Sequence, residues 1–89
     1  MQNAITVNRN VLCAMAHNNL IVFGQRVRSL RQARGLSQEA LAERIDVHRN
    51  FVGFIERGER NIGLLNLVKL AQVLNTTFQE LMDDLPFER

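Results

Sequence analysis

The sequence predicts an all-α domain of five helices, and three observations carry that reading. The single proline is Pro86, so nothing earlier in the chain removes a backbone donor or fixes a kink. The glycines fall at intervals that resemble helix ends. Apolar residues recur at spacings of three and four rather than in alternation. A chain of 89 residues has material for one hydrophobic core and scarcely for two.

Phe23, Val27 and Leu30 recur at i, i+4 and i+7, with Arg26, Arg28, Arg31 and Gln32 on other faces. They define a first helix from Asn19 to Arg34, closed by Gly35 in the left-handed cap position. Ser37 is an N-cap for a second helix, Gln38 to Ile45, whose Leu41, Ala42 and Ile45 share a face. Asp46 and Val47 make a tight turn into a third helix, His48 to Arg57, with Val52 and Ile55 inward and Gly58 at its end. Residues 59–63 read as a loop. Leu64, Leu67, Val68, Ala71 and Leu74 form the inward stripe of a fourth helix. Thr77 and Glu80 are spaced as a capping box for a short fifth helix carrying Phe78, Leu81, Met82 and Leu85, which Pro86 stops. The expected organisation is an N-terminal arm over 1–18 without a clear period or assigned role, a folded domain over 19–85 and a tail over 86–89. Within the arm, Val11 to Ala16 suit a turn or two of helix.

Charge is unevenly distributed. Through Lys69 there are ten basic residues and five acids, a balance of +5, whereas the remainder has one base against four acids, a balance of −3. Ten of the eleven basic residues are arginine, whose planar fork suits phosphates and guanine edges. A basic body with an acidic end points to a polyanion on one side of the molecule.

Other classes find little support. No apolar run approaches the ~18 residues of a membrane span, and no basic stretch followed by an apolar one marks export, so the chain reads as soluble and cytoplasmic. Cys13 is the only cysteine, which fits a reducing compartment and an inert thiol; with His17 and His48 it makes no metal-ligand spacing. His48 has no nucleophile or carboxylate arrangement to serve as a base. No phosphate-cradling glycine loop or catalytic carboxylate pair is present, and no enzyme, cofactor or metal site is expected.

The second and third helices, joined by a short turn, have the proportions of a helix-turn-helix. At 100° per residue, Arg49, Asn50, Gly53, Phe54 and Arg57 fall on one arc of the third helix, opposite Phe51, Val52 and Ile55. Arginine can grip the O6/N7 edge of guanine and asparagine the N6/N7 edge of adenine, while Gly53 admits close backbone approach.

The residues Gly35-Leu36-Ser37-Gln38-Glu39-Ala40-Leu41-Ala42, then Val47, Val52 and Ile55-Glu56-Arg57-Gly58, resemble the Cro/C1-type (XRE) helix-turn-helix family. Residues 48–62, HRNFVGFIERGERNI, are most similar to the controller proteins of restriction-modification systems. The resemblance implies a compact, lambda-repressor-like fold and a homodimeric regulator of transcription acting on a palindromic or near-palindromic double-stranded DNA operator. It implies base reading by Arg49, Asn50 and Phe54, and phosphate contacts from Gln38, His48, Arg57, Arg60 and Asn61. Arg31 and Glu56 match a structural ion pair tying the first helix to the third. If the protein activates transcription, RNA polymerase becomes a further partner. The sequence departs from the family pattern at Asp46, where glycine is usual, and at Asn50 and Phe51, where controllers tend to carry threonine and tyrosine.

Leu65 and Val73 lie off the main stripe of the fourth helix, and with Leu85 and Phe87 near the acidic end they are the expected homodimer surface, formed by the fourth and fifth helices. Two other readings stay open: a general repressor or antitoxin of the same fold, and a protein-interaction module that has lost DNA. Retention of Arg49, Asn50, Arg57 and Arg60 argues against the last, because the centre of a protein interface is depleted of charge.

Overall fold

The structure is a computed structural model that describes residues 9–83 and 85, with side chains described from residue 18 onward. Those residues form five α-helices and no strand: α1 (Arg9–Ala33), α2 (Gln38–Arg44), α3 (Arg49–Glu56), α4 (Leu64–Val73) and α5 (Phe78–Met82). The all-α, five-helix architecture is the one the sequence predicts. Helix α1 differs in its start. It begins at Arg9 rather than at Asn19, because apolar periodicity marks only the part of a helix that faces a core, and this helix continues past it.

Helices α1 to α4 end in one hydrogen-bond pattern, the Schellman motif. The residue past each cap is left-handed: Gly35 (φ 69°), Asp46 (φ 59°), Gly58 (φ 73°) and Asn75 (φ 53°). Its N–H donates back into the last turn, as in Gly35 to Gln32 O and Asp46 to Glu43 O. The following N–H reaches further, as in Leu36 to Arg31 O, Val47 to Ala42 O, Glu59 to Phe54 O and Thr76 to Ala71 O. Asp and Asn tolerate this geometry better than other side-chain-bearing residues, which is why the turn after α2 survives without glycine. At the other ends, the Ser37 hydroxyl accepts from Ala40 N–H at 3.0 Å, and Thr77 and Glu80 form the reciprocal capping box. The Thr77 N–H, then the hydroxyls of Thr76 and Thr77, hold the Glu80 carboxyl below the ordinary carboxylate range.

The core draws on every helix: Phe23 and Val27 from α1; Leu41, Ala42 and Ile45 from α2 and its cap; Val52 and Ile55 from α3; Leu67, Leu70 and Leu74 from α4 and its cap; and Leu81 from α5. The inward stripe of α4 is rotated from the expected one. Leu70 is fully buried, whereas Leu64 and Val68 are 70% and 42% exposed. Apolar residues cover more than half the circumference of this helix, so two overlapping stripes satisfy the same period and only packing chooses between them. Of the residues expected at a dimer surface, Val73 and Leu85 are half-buried and pack partly against the core, Leu65 is 75% exposed, and Phe87 lies outside the described residues.

Two glycines let α1 lie directly against α3. A Cβ on Gly24 would sit 2.3 Å from the carbonyl oxygen of Ile55 and 2.6 Å from that of Glu56, and one on Gly58 would meet the Ile21 backbone at 2.7 Å. At Gly24 the obstacle is backbone, which cannot swing aside as a side-chain tip can. Gly24→Ala is therefore expected to lower unfolding free energy by about 3 kcal/mol through overpacking, read from urea melts; a loss below about 1 kcal/mol would show that the two helices separate freely.

Candidate nucleic-acid interface

Helices α2 and α3 are too short to persist alone and take their order from the packing beneath them. Leu41, Ala42, Ile45, Val52 and Ile55 pin both helices to the core, and Val47 packs in from the turn. With those residues inward, the opposite side of α3 faces solvent. Arg49, Asn50, Gly53, Phe54 and Arg57 line an open groove there, closed on the α2 side by Gln38 and Glu39. The arc expected from the helical wheel is thus one continuous surface.

Beneath the groove lies a buried ion pair. Arg31 Nε donates to Glu56 Oε2 at 2.6 Å and Arg31 Nη2 to Glu56 Oε1 at 3.1 Å, with the two side chains 10% and 3% exposed. Arg31 Nη1 also donates to the Leu36 carbonyl at 2.8 Å, and Gln38 Nε2 donates to Glu56 Oε1 at 3.0 Å. Three helices meet on one carboxylate. Gln38, expected at a phosphate, lines the groove while also holding Glu56.

His48 is the N-cap of α3, its Nδ1 accepting from Asn50 N–H at 3.1 Å. It lines a neighbouring hollow with Glu39, Ala40, Glu43, Val47 and Arg49 rather than the groove itself. Arg57 is the C-cap of α3, and both its guanidinium and that of Arg60 lie over the Phe54 ring, 5.3 and 5.0 Å from the centroid. Asn61 is placed elsewhere, on the rim of an apolar cavity of about 350 Å³ lined also by Leu20, Phe23, Leu64, Leu67 and Met82.

The structure adds two acids paired with the groove arginines, Glu39 in the groove wall and Glu59 just past α3, that the sequence did not single out. Glu39 Oε2 accepts from Arg49 Nη1 at 3.2 Å, and Glu59 Oε2 accepts from Arg57 Nε at 3.1 Å. Both pairs are solvent-exposed, so each is weak and a phosphate or base edge can displace the carboxylate. The Glu39 contact crosses the turn between two helices, where no single-helix periodicity signals it.

A profile of the helix-turn-helix family HTH_3 matches residues 27–81. The chain belongs to that family. Control protein C.BamHI of Bacillus amyloliquefaciens is 40% identical over 70 residues, which covers 78% of this chain and 86% of that protein. Control protein C.SmaI of Serratia marcescens is 44% identical over 61 residues, covering 68% and 73%. The crystal structure of the restriction-modification controller protein C.AhdI from Aeromonas hydrophila superposes with a TM-score of 0.68 at 51% identity, covering 71% of this chain and 96% of that one. The protein is a helix-turn-helix DNA-binding regulator similar to restriction-modification controllers. Its relatives are regulators of transcription rather than enzymes, and no described helix is long and apolar enough to cross a membrane.

The Glu56 pair gives a stability test with a sign. Removing one partner strands a buried charge, so Arg31→Met should cost about 3–5 kcal/mol, whereas Arg31→Met combined with Glu56→Leu should recover most of that loss. Urea unfolding of both variants checks it; a double variant as unstable as the single one would assign the cost to packing rather than to charge.

Proposed function

We propose that the protein is a cytoplasmic, homodimeric regulator that binds a palindromic or near-palindromic operator and governs transcription in a restriction-modification locus, its own gene included. The observation that carries this reading is the division of α3 into two faces. Val52, Ile55 and Glu56 are buried, while Arg49, Asn50 and Arg57 line an open, arginine-rich groove above the buried Gly53, on the face a recognition helix turns to the major groove. The similarity of the chain to control proteins supplies the biological setting.

Arg49 stands in the first turn of α3, where side chains of a recognition helix reach the floor of the major groove. It reads guanine, exchanging Glu39 for the O6/N7 edge, and Asn50 reads a neighbouring adenine. Arg57 and Arg60 take phosphates, with Gln38 and His48 contributing at the other end of the helix pair. RNA polymerase is the added partner if the protein activates.

Dimerisation rests on the exposed face of α4. Leu64, Leu65 and Val68 share one side of the helix and are 70%, 75% and 42% exposed, a patch that a second copy would cover. Two-fold symmetry would set the recognition helices about 34 Å apart, one turn of DNA. Leu65→Glu is expected to shift sedimentation from dimer to monomer at tens of micromolar. A wild-type protein that sediments as a monomer and protects a single half-site would overturn the dimer.

Base reading is tested by selection on randomised half-sites. Arg49→Ala should lose ~1–3 kcal/mol per half-site on the selected operator, change binding to unrelated duplex far less, and relax preference at one base pair. Identical preferences for wild type and Arg49→Ala, with specific and non-specific binding falling together, would make Arg49 a phosphate clamp.

A further inference from the structure

The geometry points to Phe54 as a positioning residue: its ring holds the guanidinium groups of Arg57 and Arg60 ready for two backbone phosphates and does not itself read a base. This rests on the groove being the DNA surface and departs from the role that family resemblance gives the residue.

Phe54 is half-buried on the groove side of α3, and two cations share its ring at 5.3 and 5.0 Å from the centroid, inside the ~6 Å over which ring and cation attract. The surroundings converge on the same arrangement. At Gly53 a Cβ would approach Arg57 Nη1 to 3.1 Å, so a larger residue would crowd the guanidinium where it lies. Glu59 takes Arg57 Nε, which fixes the near end of the fork.

Arg60 stands on the irregular segment between α3 and α4, where a long side chain has most rotamer freedom to lose. That segment is tied to Phe54 a second time, by the Glu59 N–H donating to the Phe54 carbonyl at 2.8 Å. Backbone and ring of one residue therefore order both arginines. Ordering them before DNA arrives removes a cost that binding would otherwise bear. A thymine methyl, the contact an aromatic base reader would make, would have to compete with two guanidinium groups for the same ring.

The test uses the full chain and two probes: a mixed-sequence duplex of about three helical turns, followed by fluorescence anisotropy, and a pool with randomised half-sites. Phe54→Leu is expected to weaken binding to the mixed duplex about tenfold, the scale of ordering two rotamer-rich side chains, with unchanged base preferences in the pool. Phe54→Tyr, which keeps the ring face, should restore wild-type affinity, whereas Phe54→Met, which keeps apolar bulk without a ring, should bind as weakly as Phe54→Leu. In double-mutant cycles, Phe54→Leu should add little to a variant carrying both Arg57→Ala and Arg60→Ala, yet cost its full factor on top of Arg49→Ala. If Phe54→Leu lowers the folded fraction seen by circular dichroism, Phe54→Met serves the same cycles.

A shifted base preference in Phe54→Leu, or full additivity with the arginine pair, overturns the positioning role. Wild-type affinity in Phe54→Leu overturns it as well while leaving the groove assignment intact. Loss of neither arginine weakening the mixed duplex would instead bring down the groove assignment, and the positioning role with it.

Discussion

The buried contact between Arg31 and Glu56 is the constraint from which the rest of the recognition surface takes its orientation. One carboxylate near the end of α3 receives the guanidinium of α1 and the amide at the start of α2, while the same guanidinium also takes the Leu36 carbonyl between α1 and α2. Desolvating two charges consumes much of what their attraction returns, so the network is better understood as orientation than as net stability. Its geometry is narrowly defined, because its hydrogen bonds are directional and the two charged side chains at its centre are buried. Apolar packing of Val52 and Ile55 fixes which face of α3 is inward, but a greasy interface tolerates small rotations that a bidentate ion pair does not. Gly24 completes the constraint by setting how closely α1 approaches the Ile55 and Glu56 carbonyls.

With α3 held from beneath, its outer face is free to carry charge without carrying the fold. The two groove arginines on α3 each face an acid, Glu39 for Arg49 and Glu59 for Arg57, at the distances of ordinary surface pairs. Such pairs contribute little to stability because water screens them and side-chain entropy opposes them. In the proposed complex a guanine edge at Arg49 would displace Glu39, whereas a phosphate could meet the outer nitrogens of Arg57 while Glu59 keeps Nε.

Much of this was legible in the sequence, for reasons that are local. Ser37, Gly35, Gly58 and the Thr77–Glu80 pair announce helix ends because caps are chemistry between neighbours in the chain. The groove arc of α3 was legible because its apolar residues cover a narrow sector, leaving the other side no ambiguity. Helix α4 was not, since Leu64, Leu65, Leu67, Val68, Leu70, Ala71, Val73 and Leu74 admit more than one inward stripe, and the choice that exposes Leu64 and Val68 belongs to tertiary packing. Gly24 gave no signal of its own. A glycine inside a helical pattern reads as a mild propensity cost, and its meaning appears only when the backbone it touches comes from a distant helix. The roles of Phe54 and Glu59 were hidden for a similar reason, because the arginines they hold lie across a helix end.

The charge balance of the chain carries a related lesson about what a basic sequence means. Ten basic residues precede the acidic end, yet three of them, on α1 and at the residue just past it, are committed to the fold. Arg26 donates to the carbonyls of Glu80 and Asp83 at the end of α5, Arg31 to Glu56 and Leu36, and Arg34 to the carbonyls of Leu74 and Asn75 at the end of α4. Guanidinium groups suit this task because helix C-termini present unsatisfied carbonyls and partial negative charge. Helix α1 is thereby a spine whose arginines close the ends of two other helices and anchor a third. Arg49, Arg57 and Arg60, proposed to meet a polyanion, lie together because α3 and the segment after it are held in one orientation. Position on the scaffold, more than the sum of charges, is what brings these three arginines to one side of the molecule, the side proposed to meet DNA.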